Sequence, residues 1–154
     1  MISVEVETEK TVFSPVLGVL SYNPDEVILF PEGLIGFENS NKFIIKTKAG
    51  YAPFYWLLCL DEPELLFPII DPFIIIKDYH PKLSNNELQS IGAENIADIR
   101  FLAVVTVGQS ADQVSVNLRG PIILNKERNI AKQIILVESH YLVRHPIKAG
   151  SHVN

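Results

Sequence analysis

The hydrophobic period of this chain is two over most of its length, and that period limits the fold more than any other feature. Ile2, Val4 and Val6 alternate with Ser3, Glu5 and Glu7, the pattern of a strand with one wet face. Short β-branched or aromatic runs follow at residues 27–30, 43–46, 54–59, 73–76, 101–107, 114–118, 122–124 and 130–137. Turn signals such as Asn23-Pro24-Asp25, Pro31-Glu32-Gly33, Asp71-Pro72 and Gly120-Pro121 lie between them. Eight or more strands at this spacing predict an all-β fold, a small closed or nearly closed antiparallel β-barrel. Closure also removes the free edges that invite aggregation. One short helix interrupts the pattern. Ser84-Asn85-Asn86-Glu87 reads as a capping box, Leu88 and Ile91 give an apolar stripe, and Gly92 suits a left-handed stop.

At 154 residues the chain is expected to form one domain, residues 1–147, followed by a disordered tail at 148–154 whose sequence, KAGSHVN, offers little to bury. The longest unbroken apolar run, residues 54–60, is seven residues long, against about 20 for a membrane helix. The segment MISVEVETEK has no basic-then-apolar signal pattern. The single cysteine, Cys59, lies inside the apolar run and reads as a buried, inert thiol. A reducing cytoplasm fits these features, with no membrane partner.

The net charge of −5 is unevenly spread. Residues 1–76 carry eleven acids against four bases, and residues 77–154 seven acids against nine bases. Before Lys42 the acids are Glu5, Glu7, Glu9, Asp25, Glu26, Glu32 and Glu38, with Lys10 the one base. Such a half repels phosphate backbones and attracts basic partners, which disfavours direct nucleic-acid binding. The competing reading is that the acids keep a β protein soluble.

No local motif advertises catalysis: G-x-S-x-G, P-loop, G-x-G-x-x-G and H-E-x-x-H patterns are all missing. His140 and His145, five apart on strand and turn, fall on opposite faces, a poor start for a metal site. Asp61, Glu62 and Glu64 flank Pro63 and read as a solvated turn. No catalytic residue, metal ligand or cofactor is therefore expected. An enzyme with a dispersed active site and an OB-like nucleic-acid-binding module remain the alternatives, the second short of the basic sheet face it needs.

Three segments carry a resemblance. The first is Phe30-Pro31-Glu32-Gly33-Leu34-Ile35-Gly36-Phe37-Glu38. The second runs from Pro53-Phe54-Tyr55-Trp56-Leu57 through Asp61-Glu62-Pro63 and Phe67-Pro68-Ile69-Ile70-Asp71-Pro72 to Asp78-Tyr79. The third is Asn117-Leu118-Arg119-Gly120-Pro121-Ile122-Ile123-Leu124-Asn125, followed by Gln133-Ile134-Ile135-Leu136 and Tyr141-Leu142-Val143-Arg144-His145-Pro146. In this order the chain resembles the FliW family of flagellar assembly factors over roughly residues 13–147. It departs at Leu58 and Cys59, where the family tends to carry polar residues, and at Gly120, which replaces a commoner small residue. The resemblance implies a regulator without an enzymatic step, monomeric when free. Its partners would be flagellin and CsrA, the small RNA-binding repressor of flagellin translation.

The partner-binding residues expected from this reading are Glu32, Leu34, Ile35, Phe37 and Glu38, with Asp61, Glu62, Glu64 and Tyr79. Pro31 and Gly33 suit a turn and Gly36 a second bend, so Leu34 and Ile35 ride a tight loop between two acids. The opposing reading folds Leu34, Ile35 and Phe37 back to plug the barrel mouth. Phe54, Trp56, Phe67 and Phe73 are expected in the core, and Tyr79 either exposed or buried.

Overall fold

A computed structural model describes residues 9–110 and 113–147. The expected strand around Ile2, Val4 and Val6 and the expected disordered tail at 148–154 lie outside the described residues. Within them the chain forms β1 (Lys10–Ser14), β2 (Gly18–Tyr22), β3 (Ile28–Leu29), β4 (Lys42–Lys46), β5 (Tyr55–Cys59), β6 (Leu66–Ile70), α1 (Pro72–Ile75), α2 (Asn85–Ser90), β7 (Ile99–Val107), β8 (Val114–Val116), β9 (Ile122–Asn125), β10 (Ile130–Gln133) and β11 (His145–Ile147).

Seven strands pair in the order β7-β6-β5-β4-β3-β10-β9, and β9 pairs back onto β7, so the sheet curls into a nearly closed, barrel-like ring. All junctions but one are antiparallel. β10 meets β3 in parallel through Ile130 and Leu29, a departure from the expected all-antiparallel ring. Every ring strand sends apolar residues to one cluster that includes Ile28, Phe43, Leu57, Ile69, Leu102, Leu124 and Ala131, which places that cluster inside the ring. The opposite parity of β7, Phe101, Ala103 and Val105, faces a second cluster with Val116, Leu118 and Ile123, under Ile91 and Tyr79. Burial on both faces over residues 101–105 explains why that stretch reads as a continuous apolar run rather than an alternation. Leu58 and Cys59, two of the positions at which the chain departs from the resemblance, are both fully buried.

The helix at 84–92 forms as its sequence requires. Ser84 Oγ accepts the Glu87 N–H at 3.1 Å and Glu87 Oε1 accepts the Ser84 N–H at 2.9 Å. Gly92 follows with φ of +69°, and Asn125 Nδ2 donates to the Ile91 carbonyl at 2.9 Å. Such a short helix is marginal alone; Ile91 and Leu88, packed on the outer cluster, hold it.

Several expectations fail. Residues 73–76 are not a strand but lie in and just beyond α1, because Asp71 Oδ1 accepts the Phe73 N–H at 2.9 Å and Pro72 starts the turn. The strand expected at 130–137 ends at Gln133, and the one at 114–118 ends at Val116. From residue 134 the chain leaves the sheet, and Arg119 holds it by donating to the carbonyls of Val137 and Ser139 at 2.8 and 2.9 Å. The β1–β2 hairpin, β6 and β11 were not among the expected strands. The hairpin is a separate two-stranded ribbon that leaves Phe13 and Val19 exposed as a cross-strand pair. Phe73 is 39% exposed, while Phe54, Trp56 and Phe67 are half-buried.

Candidate protein-binding site

The loop of residues 30–41 is built by backbone constraint. Gly33 donates its N–H to the Phe30 carbonyl at 2.9 Å, closing the first turn. Its φ is +66°, and a Cβ there would stand 2.6 Å from Glu38 Cα, so only glycine fits. Leu34 and Phe37 then exchange both backbone bonds, at 3.2 and 2.7 Å. Ile35 and Gly36 are left as a two-residue tip, with Gly36 at φ +90° as a type II turn requires at its second central residue.

The two readings of this tip divide. Leu34 is only 3% exposed and joins the interior cluster, so it is corrected from a binding residue to a core residue. Ile35 and Phe37 are 54% and 38% exposed. The Phe37 ring packs edge-on against Phe67 of β6, centroids 5.2 Å apart, and the Ile35 N–H donates to Gln133 Oε1 at 2.9 Å.

The acidic loop between β5 and β6 is bonded to the same end of the ring. Asp61 Oδ2 accepts the N–H groups of Asn41 and Lys42 at 2.9 and 3.1 Å. Asn41 Nδ2 in turn donates to the Phe30 carbonyl at 2.8 Å. The two acidic segments, some 25 residues apart in the chain, therefore meet. Their charges are not equivalent. Glu32 Oε2 pairs with Lys132 Nζ at 3.0 Å, and Asp61 is occupied by backbone; Glu38, Glu62 and Glu64 are exposed. The exposed pair Ile35 and Phe37 thus rides a loop that carries Glu38 and is bonded to the loop that carries Glu62 and Glu64, none of the three carboxylates being ion-paired among the described residues.

Tyr79 does not belong to this surface. It is 3% exposed, donates to the Leu118 carbonyl at 2.6 Å and packs against Tyr141 in the outer cluster. Burial, with Tyr141 adding to it, raises its pKa far above the ordinary phenol value. Sequence reasoning missed Phe67, Lys132 and Gln133 as neighbours of the tip. Nothing local marks them; they arrive by strand pairing.

Among the described residues no three His, Cys, Asp or Glu side chains cluster as metal ligands, and no helix is long and apolar enough to cross a membrane.

Comparison with known proteins agrees with the architecture. The family model described as FliW protein matches residues 11–147. The flagellar assembly factor FliW of Thermoanaerobacter pseudethanolicus is 35% identical over 131 residues, 84% of this chain and 87% of that protein. The FliW protein of Geobacter sulfurreducens is 35% identical over 129 residues, 84% of this chain and 80% of its own. A crystal structure of the flagellar assembly factor FliW superposes with a TM-score of 0.82 at 25% identity, covering 89% of this chain and 96% of that one. With the ring, its glycine-built tip and these matches all in accord, the chain belongs to the FliW family of flagellar assembly factors.

Proposed function

We propose that this protein is a non-catalytic cytoplasmic regulator, monomeric when free, that binds flagellin and, when released from it, binds and antagonises CsrA. Repression of flagellin synthesis is then relieved in step with flagellin export. The observation that carries the reading is the tie between the loop that carries Ile35, Phe37 and Glu38 and the loop that carries Glu62 and Glu64, made by Asp61 on the Asn41 and Lys42 N–H groups. A protein that holds RNA must be basic where it does so. A carboxylate-rimmed apolar knob can dock beside such a surface, speed encounter by its charge and repel the competing phosphates.

Flagellin and CsrA exclude one another in this scheme, since a molecule holding both would give no signal when flagellin left. Room is not the reason. A standard interface takes about 800 Å² from each partner, and the chain exposes 9683 Å². Exclusion comes from overlap on the acidic tip or from linkage between two sites.

The test is co-elution of the purified protein with CsrA and, separately, with flagellin. Both complexes should form with the native chain and weaken in the E38K/E62K variant. Co-elution with neither partner overturns the proposal.

A further inference from the structure

A hollow of about 200 Å³ opens between the β4–β5 connection and α1. Pro53, Phe54, Tyr55 and Ile74 form its apolar wall, with Lys48 and Asp71 also lining it. It lies away from the acidic tip. Strand β4 starts at Lys42, whose N–H binds Asp61 of the acidic loop, and ends at Lys46, two residues before Lys48. At ~3.3 Å per residue those strand ends are about 13 Å apart, so the two surfaces occupy opposite ends of the β4–β5 pair.

The lining carries one cation and one carboxylate, Lys48 and Asp71. Lys48 Nζ stands over the Tyr51 ring, 5.3 Å from its centroid, and the Arg100 guanidinium lies over the Tyr55 ring at 4.8 Å. Neither cation pairs with a carboxylate among the described residues, where the ion pairs are Lys46–Glu26 and Lys132–Glu32. Asp71, the one acid in the lining, already accepts the Phe73 N–H as the cap of α1. The hollow therefore offers the volume of one large side chain, an aromatic and aliphatic wall, one unpaired lining cation in Lys48 and a second, Arg100, over the ring of the lining Tyr55, against the single carboxylate of Asp71.

We propose that this hollow is a second docking site, which receives a large apolar side chain from a partner protein segment carrying carboxylates next to that residue. The apolar side chain fills the space against Phe54, Tyr55 and Ile74, and the flanking carboxylates meet Lys48 and Arg100. The site is independent of the acidic tip and of the partners proposed for it, and its occupant has the opposite charge preference.

The experiment is an amide NMR titration of the full chain with four probes: acetyl-Glu-Glu-Phe-Glu-amide, its Phe→Ala counterpart, acetyl-Lys-Lys-Phe-Lys-amide and free phenylalanine. Saturable shifts confined to residues 47–55 and 71–76 are expected with the acidic Phe peptide. Removing the phenyl group should weaken binding about tenfold or more, from lost apolar burial. The basic peptide should bind several-fold more weakly than the acidic one, and K48E, at an exposed position, should narrow or reverse that preference. Shifts centred on residues 35–38 and 61–64, or no saturable shifts, would overturn the proposal. So would equal binding of free phenylalanine, which marks a small-molecule pocket, or concentration-dependent shifts without peptide, which mark self-association. An unchanged charge preference in K48E would also count against it.

Discussion

The ring of Phe37 meets the ring of Phe67 edge-on at 5.2 Å, and this contact fixes the acidic tip to strand β6. Phe37 thus has two roles, since the same side chain remains 38% exposed. Replacing Phe67 by Ala removes the support and leaves Ile35, Phe37 and the exposed carboxylates themselves unchanged. Large-to-small changes at well-packed aromatic sites cost about 3–5 kcal/mol; for the half-buried Phe67 about 1–2 kcal/mol is expected. Partner affinity should fall together with hydrogen-exchange protection of the tip amides, which separates loss of support from loss of a contact.

Asp61 is expected to act through the backbone rather than through a partner. Its carboxylate accepts two N–H groups that tie the two acidic loops together. In D61A those donors lose their acceptor but remain near water, so the loss should be about 1 kcal/mol in urea unfolding. D61N keeps an acceptor oxygen and should lose less. If both variants match the native stability, the loops are not joined as described.

Charge reversal distinguishes the carboxylates that are free from the one that is paired. E38K/E62K should slow association with CsrA and flatten its dependence on salt, while stability stays within about 0.5 kcal/mol. E32K should do less to association, because Lys132 already neutralises Glu32. Stopped-flow rates at low and high salt check this; equal effects of E32K and E38K would show that the Lys132 pair does not hold in solution.

Much of the fold was legible in the chain, and the failures have physical causes. The capping box at Ser84–Glu87 is a local signal, so it was read correctly. The Phe73–Ile76 run reads as a strand but is not one, because four apolar residues have no period and Asp71-Pro72 signals a turn and a helix cap equally well. The ring itself was anticipated from period and turns, but its closure by β9 on β7 and its parallel junction at Leu29 and Ile130 are pairings at a distance. For the site, Gly33 and Gly36 announced the bends. Which of Leu34, Ile35 and Phe37 is buried depends on contacts made at a distance, such as Phe37 against Phe67, which spacing alone does not give. Tyr79 was undecided for a similar reason: its acceptor, the Leu118 carbonyl, lies 39 residues away.

The buried Tyr79 hydroxyl makes stability depend on alkaline pH. Burial and the neighbouring Tyr141 raise its pKa. Its contribution is fully present below the ordinary tyrosine pKa of about 10 and is lost as pH rises from there toward the raised value. Y79F leaves the Leu118 carbonyl without its donor, which should cost about 1–2 kcal/mol at pH 8. The difference between Y79F and the native chain should shrink above pH about 10. A constant difference across that range would mean that the phenol is not the titrating group.

Under the proposed function flagellin and CsrA compete for this protein, and light scattering on one titration tests that competition most directly. The protein is saturated with CsrA, flagellin is added in steps, and the mass of each species is followed. The expected result is release of CsrA in proportion to flagellin bound, with binary complexes alone at the end point. A stable species holding all three proteins at saturation would contradict it.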